Sequence, residues 1–338
     1  MADPGPATLS DRTFDPPLTL RATSELWTLA TPFNISREAM TEAPLVVVEV
    51  SDGTHVGRGE SCPAPHFGED VTSVLQQLDT LDGVWRLEAD LGAALPAGSA
   101  RNALDCALWD LRAKRAGRRI WDLLGGASPT PLDTVFTIGL ASPGEMAEAA
   151  RTSPHTILKL KLGAEGDLER LAAIRAAAPD KRLIADVNEG WSAATLAEAM
   201  PVLARHRVEM IEQPLPVAQD GDLAHIDHLV AVGADEACHT VADLDRIAPL
   251  YDAVNIKLDK TGGLTEALRL LEAATGRGLR PMIGCMLGTS LAMAPAFMVG
   301  QAAEWIDLDA PLLMGRDRPD GLLYREGRVH PPSKALWG

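Results

Sequence analysis

The chain has 338 residues, 46% hydrophobic and 23% charged, enough for one large domain plus a smaller one and ordinary for a soluble globular protein. Its formal charge of −16 argues against a nucleic-acid partner, because phosphate binding rests on an excess of Lys and Arg. No apolar run approaches a membrane span, and Met1–Pro6 lacks the basic and apolar regions of a secretory signal. Cys62, Cys106, Cys238 and Cys285 are far apart, with no CxxC pair or zinc-like spacing. They are expected as buried thiols in a reducing compartment, which makes the cytoplasm the expected location and excludes a membrane partner.

The residues up to Pro17 are rich in Pro and Gly and are expected to be poorly ordered. Thr31–Arg37 is expected as a loop. Leu45–Val50 is expected as a strand, Ser51-Asp52-Gly53 as a turn and His55–Glu60 as the hairpin partner. Helices follow at about 71–80 and 102–116. In the second, Leu104, Leu108 and Leu111 form an i, i+4, i+7 stripe and Gly117 supplies the stop. Strands followed by helices predict a small α+β domain that ends near Gly125-Gly126, or at about residue 128.

From Leu132 short apolar strands alternate with amphipathic helices, the pattern of a parallel sheet. In Thr156–Leu162 period 2 puts Lys159 and Lys161 on one face with Ile157, and Leu158, Leu160 and Leu162 on the other. Taken alone, this could be an edge strand with its lysines in water. If the lysines instead face inward, two close like charges are expected to depress each other's pKa. Further strands are expected at Leu183–Asp186, Glu209–Glu212, Val232–Asp235, Val254–Lys257, Pro281–Gly284 and Trp305–Asp309. One helix between them carries Leu264, Leu268 and Leu271 on one face and closes at Gly276. Strand ends fall roughly 22 to 27 residues apart, the length of a βα unit in a (β/α) barrel. Residues 129–310 are therefore expected to form a barrel, with 311–338 packing back on the small domain.

Five of these strands end in an ionisable residue: Lys161, Asp186, Glu212, Asp235 and Lys257. A closed barrel gathers such ends at one mouth. Singly, each acid could be a helix N-cap. As an ordered set, three carboxylates from adjacent strands suit a hard divalent cation, Mg²⁺ before zinc. Lys161 on the second strand and Lys257 on the sixth then face each other across the mouth. A carboxylate substrate bound between them would lose its α-proton to one lysine, give an enediolate, and regain a proton from the other on the opposite face. The arrangement predicts a 1,1-proton transfer. Asp307 and Asp309 share a face by period 2, a seat for a substrate ammonium. The alternative for them is a capped turn before Pro311.

These strand ends resemble the enolase superfamily, specifically its muconate-lactonizing subgroup. Lys159-Leu160-Lys161, Asp186-Val187-Asn188, Glu212-Gln213-Pro214, Asp235-Glu236 and Asn255-Ile256-Lys257-Leu258 carry the likeness. Pro96–Asp105, Lys257–Glu266 and Asp307–Pro311 are most similar to the L-Ala-D/L-Glu (dipeptide) epimerases. The resemblance implies a modified (β/α)7β TIM-like barrel capped by the α+β domain. It also implies one Mg²⁺ per subunit on Asp186, Glu212 and Asp235, with Lys161 and Lys257 as the acid/base pair and Lys159 tuning Lys161. Asp307 and Asp309 would hold the free N-terminus of a dipeptide, and Arg37 the side-chain carboxylate of its Glu residue. Family members are often oligomeric, which leaves a homo-oligomer open, and the reaction belongs by analogy to cell-wall peptide recycling. N-acylamino acid racemase or o-succinylbenzoate synthase activity would keep the site and change the substrate; a barrel without catalysis is the remaining alternative. Two departures from the family pattern, Ala237 after Asp235-Glu236 and Gly288-Thr289-Ser290, are expected near the mouth.

Overall fold

A computed structural model of the chain describes residues 18–34, 39–81 and 91–338. Three antiparallel strands, β1 (Thr19–Asn34), β2 (Ala39–Ser51) and β3 (Val56–Ser61), open it in the order β1-β2-β3. Thr31–Asn34, expected as a loop, is instead the end of β1, which pairs Phe33 with Met40 beyond a register break after Thr28. Pro32, which signals a loop in sequence, is tolerated because β1 is an edge strand and its ladder is interrupted there. The residues up to Pro17 lie outside the described residues.

Helix α1 (Val71–Asp79) starts at an Asp70–Ser73 capping box, and the short α2 (Leu91–Ala94) leads to α3 (Ser99–Ala116). The latter begins three residues before its expected start. Its first turn is satisfied by a distant group: Glu69 accepts from Ser99 N at 2.9 Å and from Ser99 Oγ at 2.6 Å. Gly117, at φ 62, ends α3 as read. The helix lies directly on β3, where a Cβ on Gly59 would stand 2.0 Å from Ala103 O, so only glycine permits the approach. Helix α4 (Ile120–Leu123) and β4 (Leu132–Asp133) lead to the second unit.

There the chain runs β5 (Phe136–Ile138), α5 (Pro143–Thr152), β6 (Ile157–Lys161), α6 (Asp167–Ala177), β7 (Arg182–Asp186), α7 (Ala193–Arg205) and β8 (Val208–Glu212). It continues through a 3₁₀ segment (Val217–His225), β9 (Ala231–Ala234), α8 (Leu244–Ile247), β10 (Ala253–Lys257), α9 (Leu258–Thr261) and α10 (Leu264–Gly276). Strand β11 (Arg280–Gly284), α11 (Ser290–Gly300), β12 (Trp305–Ile306) and α12 (Ala310–Leu313) complete it. Strands β5 to β12 are hydrogen-bonded in chain order and parallel throughout. Val135 N donates to Ile306 O at 2.8 Å, which joins the first end of the sheet to the last. The fold is α/β: a modified (β/α)7β barrel with an α+β cap.

The alternation read in Thr156–Leu162 holds. Leu158, Leu160 and Leu162 pack with the surrounding helices, while Ile157 joins Val135, Ile184, Met210, Ala253, Met282 and Trp305 in a separate buried layer. That layer closes the floor of the barrel. Two details differ from the sequence reading. In α10 the buried stripe is Leu264, Ala267, Leu270 and Ala274, with Leu268 and Leu271 at its margin. The helix closes at Gly276 as read, and Gly278, at φ 82, supplies the left-handed turn after it. Strand β12 stops at Ile306, so Asp307–Asp309 leaves the sheet.

The last residues form β13 (Tyr324–Arg325) and β14 (Arg328–Val329), the latter pairing with β4. They end against the cap, where Gly338 N donates to Asp110 Oδ1 at 2.8 Å and Trp337 Nε1 to Cys106 O at 3.0 Å.

Candidate active site

The alternation that puts Ile157, Ile184 and Met210 in the floor puts Lys159, Lys161, Asp186 and Glu212 above it. Lys161, Asp186, Glu212 and Lys257 are the last residues of β6, β7, β8 and β10, and Asp235 follows β9 directly. All five are buried, as is Lys159. Because β6 and β10 are the second and sixth of eight strands, Lys161 and Lys257 rise from opposite sides of the mouth. Both line one cavity of about 170 Å³, together with Lys159, Asp235, Asp307 and Asp309.

Lys159 Nζ lies 3.0 Å from Asp186 Oδ2, 2.7 Å from Glu212 Oε2 and 2.8 Å from Asp307 Oδ2. Lys161 Nζ donates to the same Asp186 Oδ2 at 2.6 Å and to Asn188 Oδ1 at 3.0 Å. Asp235 turns the other way, Oδ2 to Lys257 Nζ and Oδ1 to Lys260 Nζ, each at 2.7 Å. For Lys159 these pairs reverse the expected depression. Burial alone would lower Lys159, but Asp186, Asp307, Glu212 and Asp235 together hold it well above the usual lysine range. Burial opposes Lys257 likewise, and Asp235 and Glu212 outweigh it. The acids around the lysines, not the second lysine, decide the sign.

Glu212 is the misfit among the acids. Burial first, then Asp186 beside it, push its carboxyl up to about 8. Its Oε1 accepts from Asn255 Nδ2 at 2.6 Å, while Oε2 has an ion contact to Lys159 outside hydrogen-bond geometry. Asn255 fits because Gly284, at the end of β11, has no side chain: a Cβ there would stand 2.4 Å from Asn255 Oδ1. Two crowded carboxylates with a third one strand away form a donor set for a hard cation.

Asp307 and Asp309 follow β12. Asp309 does not cap α12 with its side chain, contrary to the capped-turn alternative; its Oδ2 accepts from Thr137 N at 2.6 Å. Burial and the neighbouring Asp307 raise it to about 7. Among the described residues Asp307 Oδ1 is buried without a hydrogen-bond partner, an acceptor left for a cationic group. Arg37 lies outside the described residues.

Several residues near the site had no role in the sequence reading. Lys260 is fully buried and also donates to Asn255 O at 3.0 Å. Asn188, at φ 47, receives Lys161. Gln213 Oε1 accepts from both Asp235 N and Ala237 N at 3.0 Å. Period 2 on β10 already places Asn255 beside Lys257, so that residue was legible; Lys260, on the next helix, was not. Asp259 Oδ1 accepts from Cys62 N at 3.1 Å and Asn102 Nδ2 at 3.0 Å. This anchors the cap loop Cys62–Phe67, which lines the cavity. Neither Ala237 nor Gly288-Thr289-Ser290 lines it: Thr289 instead donates from N and Oγ1 to Glu60, which also receives Arg318.

An acid-ringed mouth with opposed lysines, under an α+β cap, defines a barrel of the enolase type. Residues 18–125 match the mandelate racemase / muconate lactonizing enzyme N-terminal domain, and residues 144–335 match the enolase C-terminal domain-like family. The chain belongs to this family. It is similar to L-Ala-D/L-Glu epimerase of Escherichia coli (strain K12), at 42% identity over 92% of this chain and 99% of that one. It is 40% identical to N-acetyl-D-glutamate racemase of Pseudoalteromonas sp, over 87% and 95% of the two chains. Among solved structures, an enolase family member from Agrobacterium tumefaciens with homology to dipeptide epimerases superimposes with a TM-score of 0.93. It is 43% identical, covers 95% of this chain and all (100%) of its own, and holds sodium and L-Ala-L-Glu. A dipeptide epimerase from Methylococcus capsulatus, complexed with Mg and L-Arg-D-Lys, gives a TM-score of 0.86 at 28% identity, over 93% of this chain and 97% of its own.

Proposed function

We propose that this chain is a Mg²⁺-dependent dipeptide epimerase that inverts the α-carbon of the C-terminal residue, with L-Ala-D/L-Glu the favoured substrate. The observation that carries the proposal is the pair Lys161 and Lys257, raised from opposite strands into one cavity with Asp186, Glu212 and Asp235 on the strands between. A carboxylate substrate lying there presents its α-hydrogen to one amine and its opposite face to the other. One lysine takes the proton and the other returns one, through an enediolate. Their side chains are held by Asp186, Asn188 and Asp235, so each amine keeps its position before substrate arrives.

The residues present fit Mg²⁺. Asp186, Glu212 and Asp235 would hold it, and a cation bound there would favour the charged form of the Glu212 carboxyl, which burial and then the neighbouring Asp186 raise. Bound there, the cation would supply the positive charge that stabilises the substrate carboxylate as it gains charge. Lys159 would then be left with Asp307 as its main counter-ion and would tune Lys161, its neighbour two residues on. The unpartnered Asp307 Oδ1 and the raised Asp309 would take the dipeptide's ammonium. Arg37 would take the Glu side chain. By analogy with its relatives, the enzyme would work in the cytoplasm on peptides recycled from the cell wall.

The 40% identical racemase acting on N-acetyl-D-glutamate supports a second reading, in which the substrate is N-acylated and brings no ammonium. o-Succinylbenzoate synthase chemistry shares that feature. A dipeptide library and N-acylamino acids, incubated with enzyme and Mg²⁺ in D₂O and followed by mass, separate these readings. Deuterium should enter dipeptides ending in an acidic residue, and Lys161→Ala and Lys257→Ala should each abolish epimerisation. Exchange confined to N-acylamino acids would favour the second reading. No exchange in any substrate would favour a barrel without catalysis.

A further inference from the structure

The mouth carries a group that proton transfer does not use. Cys285, the first residue after β11, stands beside Asp307 and Asp309, and its sulfur and one carboxylate oxygen of each acid lie within 4.8 Å of one another. All three line the cavity. Asp307 is 4% exposed, with Oδ2 on Lys159 and Oδ1 unpartnered. Asp309 accepts from Thr137 N through Oδ2 and lines the cavity beside Asp307. A thiolate and two carboxylates would carry three negative charges, and Lys159, which contacts Asp307 and is shared with Asp186 and Glu212, offsets at most one. The balance suits a divalent ion.

We propose that Cys285, Asp307 and Asp309 form a second cation site, selective for a thiophilic divalent ion of the Zn²⁺ class and overlapping the seat of the substrate's ammonium. One sulfur and two oxygens supply the three protein ligands of an open tetrahedral site, whose fourth position is left to water. Magnesium, which takes oxygen ligands, does not compete for the sulfur. On binding, the Cys285 S–H bond gives its proton to the buffer and the sulfur lone pair forms the bond to the metal, with no change of oxidation state. Burial holds that thiol well above its ordinary range, so the ion binds more tightly as pH rises. A bound ion excludes the ammonium, and inhibition is competitive with the dipeptide. That last step rests on the proposed epimerase reading; the site itself does not.

Cadmium is the probe, because a Cd²⁺–thiolate pair absorbs in the ultraviolet. The Mg²⁺-saturated protein titrated with Cd²⁺ should show one saturable band and release a proton. Cys285→Ser and Cys285→Ala should both lose the band and bind Zn²⁺ at least about tenfold more weakly by calorimetry, while Cys62→Ser, the other cysteine lining the cavity, keeps it. Near-ultraviolet circular dichroism checks that the variants are folded. Absence of a band in the wild-type protein, or its loss in Cys62→Ser instead, overturns the site. So does unchanged Zn²⁺ affinity in both Cys285 variants, which would direct the ion to another group such as His66, Glu189 and Glu236. A Cys285-dependent band in a protein that exchanges no dipeptide α-proton would keep the site and discard the epimerase reading. Dipeptide turnover without a band would do the reverse.

Discussion

Replacing Asp259 by Asn should stabilise the protein, by more as pH rises from 3.8 to about 7. Asp259 is fully buried two residues after Lys257, and burial raises its carboxyl from 3.8 to about 7 despite the donors at Cys62 and Asn102. Glu69 and Glu60 push in the same direction as burial. In the unfolded chain the carboxyl ionises near 3.8, whereas in the folded chain it holds its proton until about 7. The folded state therefore loses stability as pH climbs between those values and loses no more above them. At about 1.4 kcal/mol per pH unit the full penalty is about 4 kcal/mol. Asparagine keeps the accepting oxygen for Cys62 and Asn102 and carries no charge, so it escapes the penalty. Denaturant or thermal unfolding of both proteins at pH 4.5 and pH 8 measures the difference. The gain for Asp259→Asn should grow by about 2–4 kcal/mol between the two conditions, or several degrees in Tm. An equal effect at both pH values, or a less stable variant at pH 8, would refute the argument that this acid is buried at the expense of its charge.

Two further substitutions probe the mouth. Asp307→Asn removes the negative charge offered to the ammonium and should raise KM for a dipeptide roughly 10- to 100-fold, with Mg²⁺ affinity measured by calorimetry unchanged; near-silence would fit N-acylated substrates. Lys260→Met takes the buried cation from Asp235 Oδ1 and should weaken Mg²⁺ binding by roughly 10- to 100-fold before any substrate is added. Unchanged affinity would mean that Lys257 alone fixes Asp235.

The strand-end residues were legible because each strand is short and period 2 is strict: two residues beyond a floor position such as Ile184 or Met210, the chain must face the cavity again. Cap packing was less legible. The start of α3 depends on Glu69, a partner 30 residues earlier in the chain, and no local capping pattern announces it. Lys260 resembles an ordinary charged residue at a helix start until β9 brings Asp235 over it. The direction of the Lys159 shift was not legible for a related reason. Two neighbouring lysines are visible in Lys159-Leu160-Lys161, but the acids that outweigh their repulsion come from β7, β8, β9 and the end of β12.

The buried charge at the mouth is tolerable because the same strands build both a dry floor and a paired polar layer. An isolated lysine or carboxylate at this depth would lose its charge to escape the desolvation cost. Here Lys159 stands among Asp186, Glu212 and Asp307, and Asp235 lies between Lys257 and Lys260. Each group is affordable only with its partners, so no one of them can be removed without leaving a buried counter-ion behind. Glu212, pushed up to about 8 by burial and then by Asp186, and Asp307 Oδ1, without a donor among the described residues, are the two exceptions. On the proposed function, a metal ion between the strand-end acids and a substrate ammonium beside Asp309 would fill those two positions.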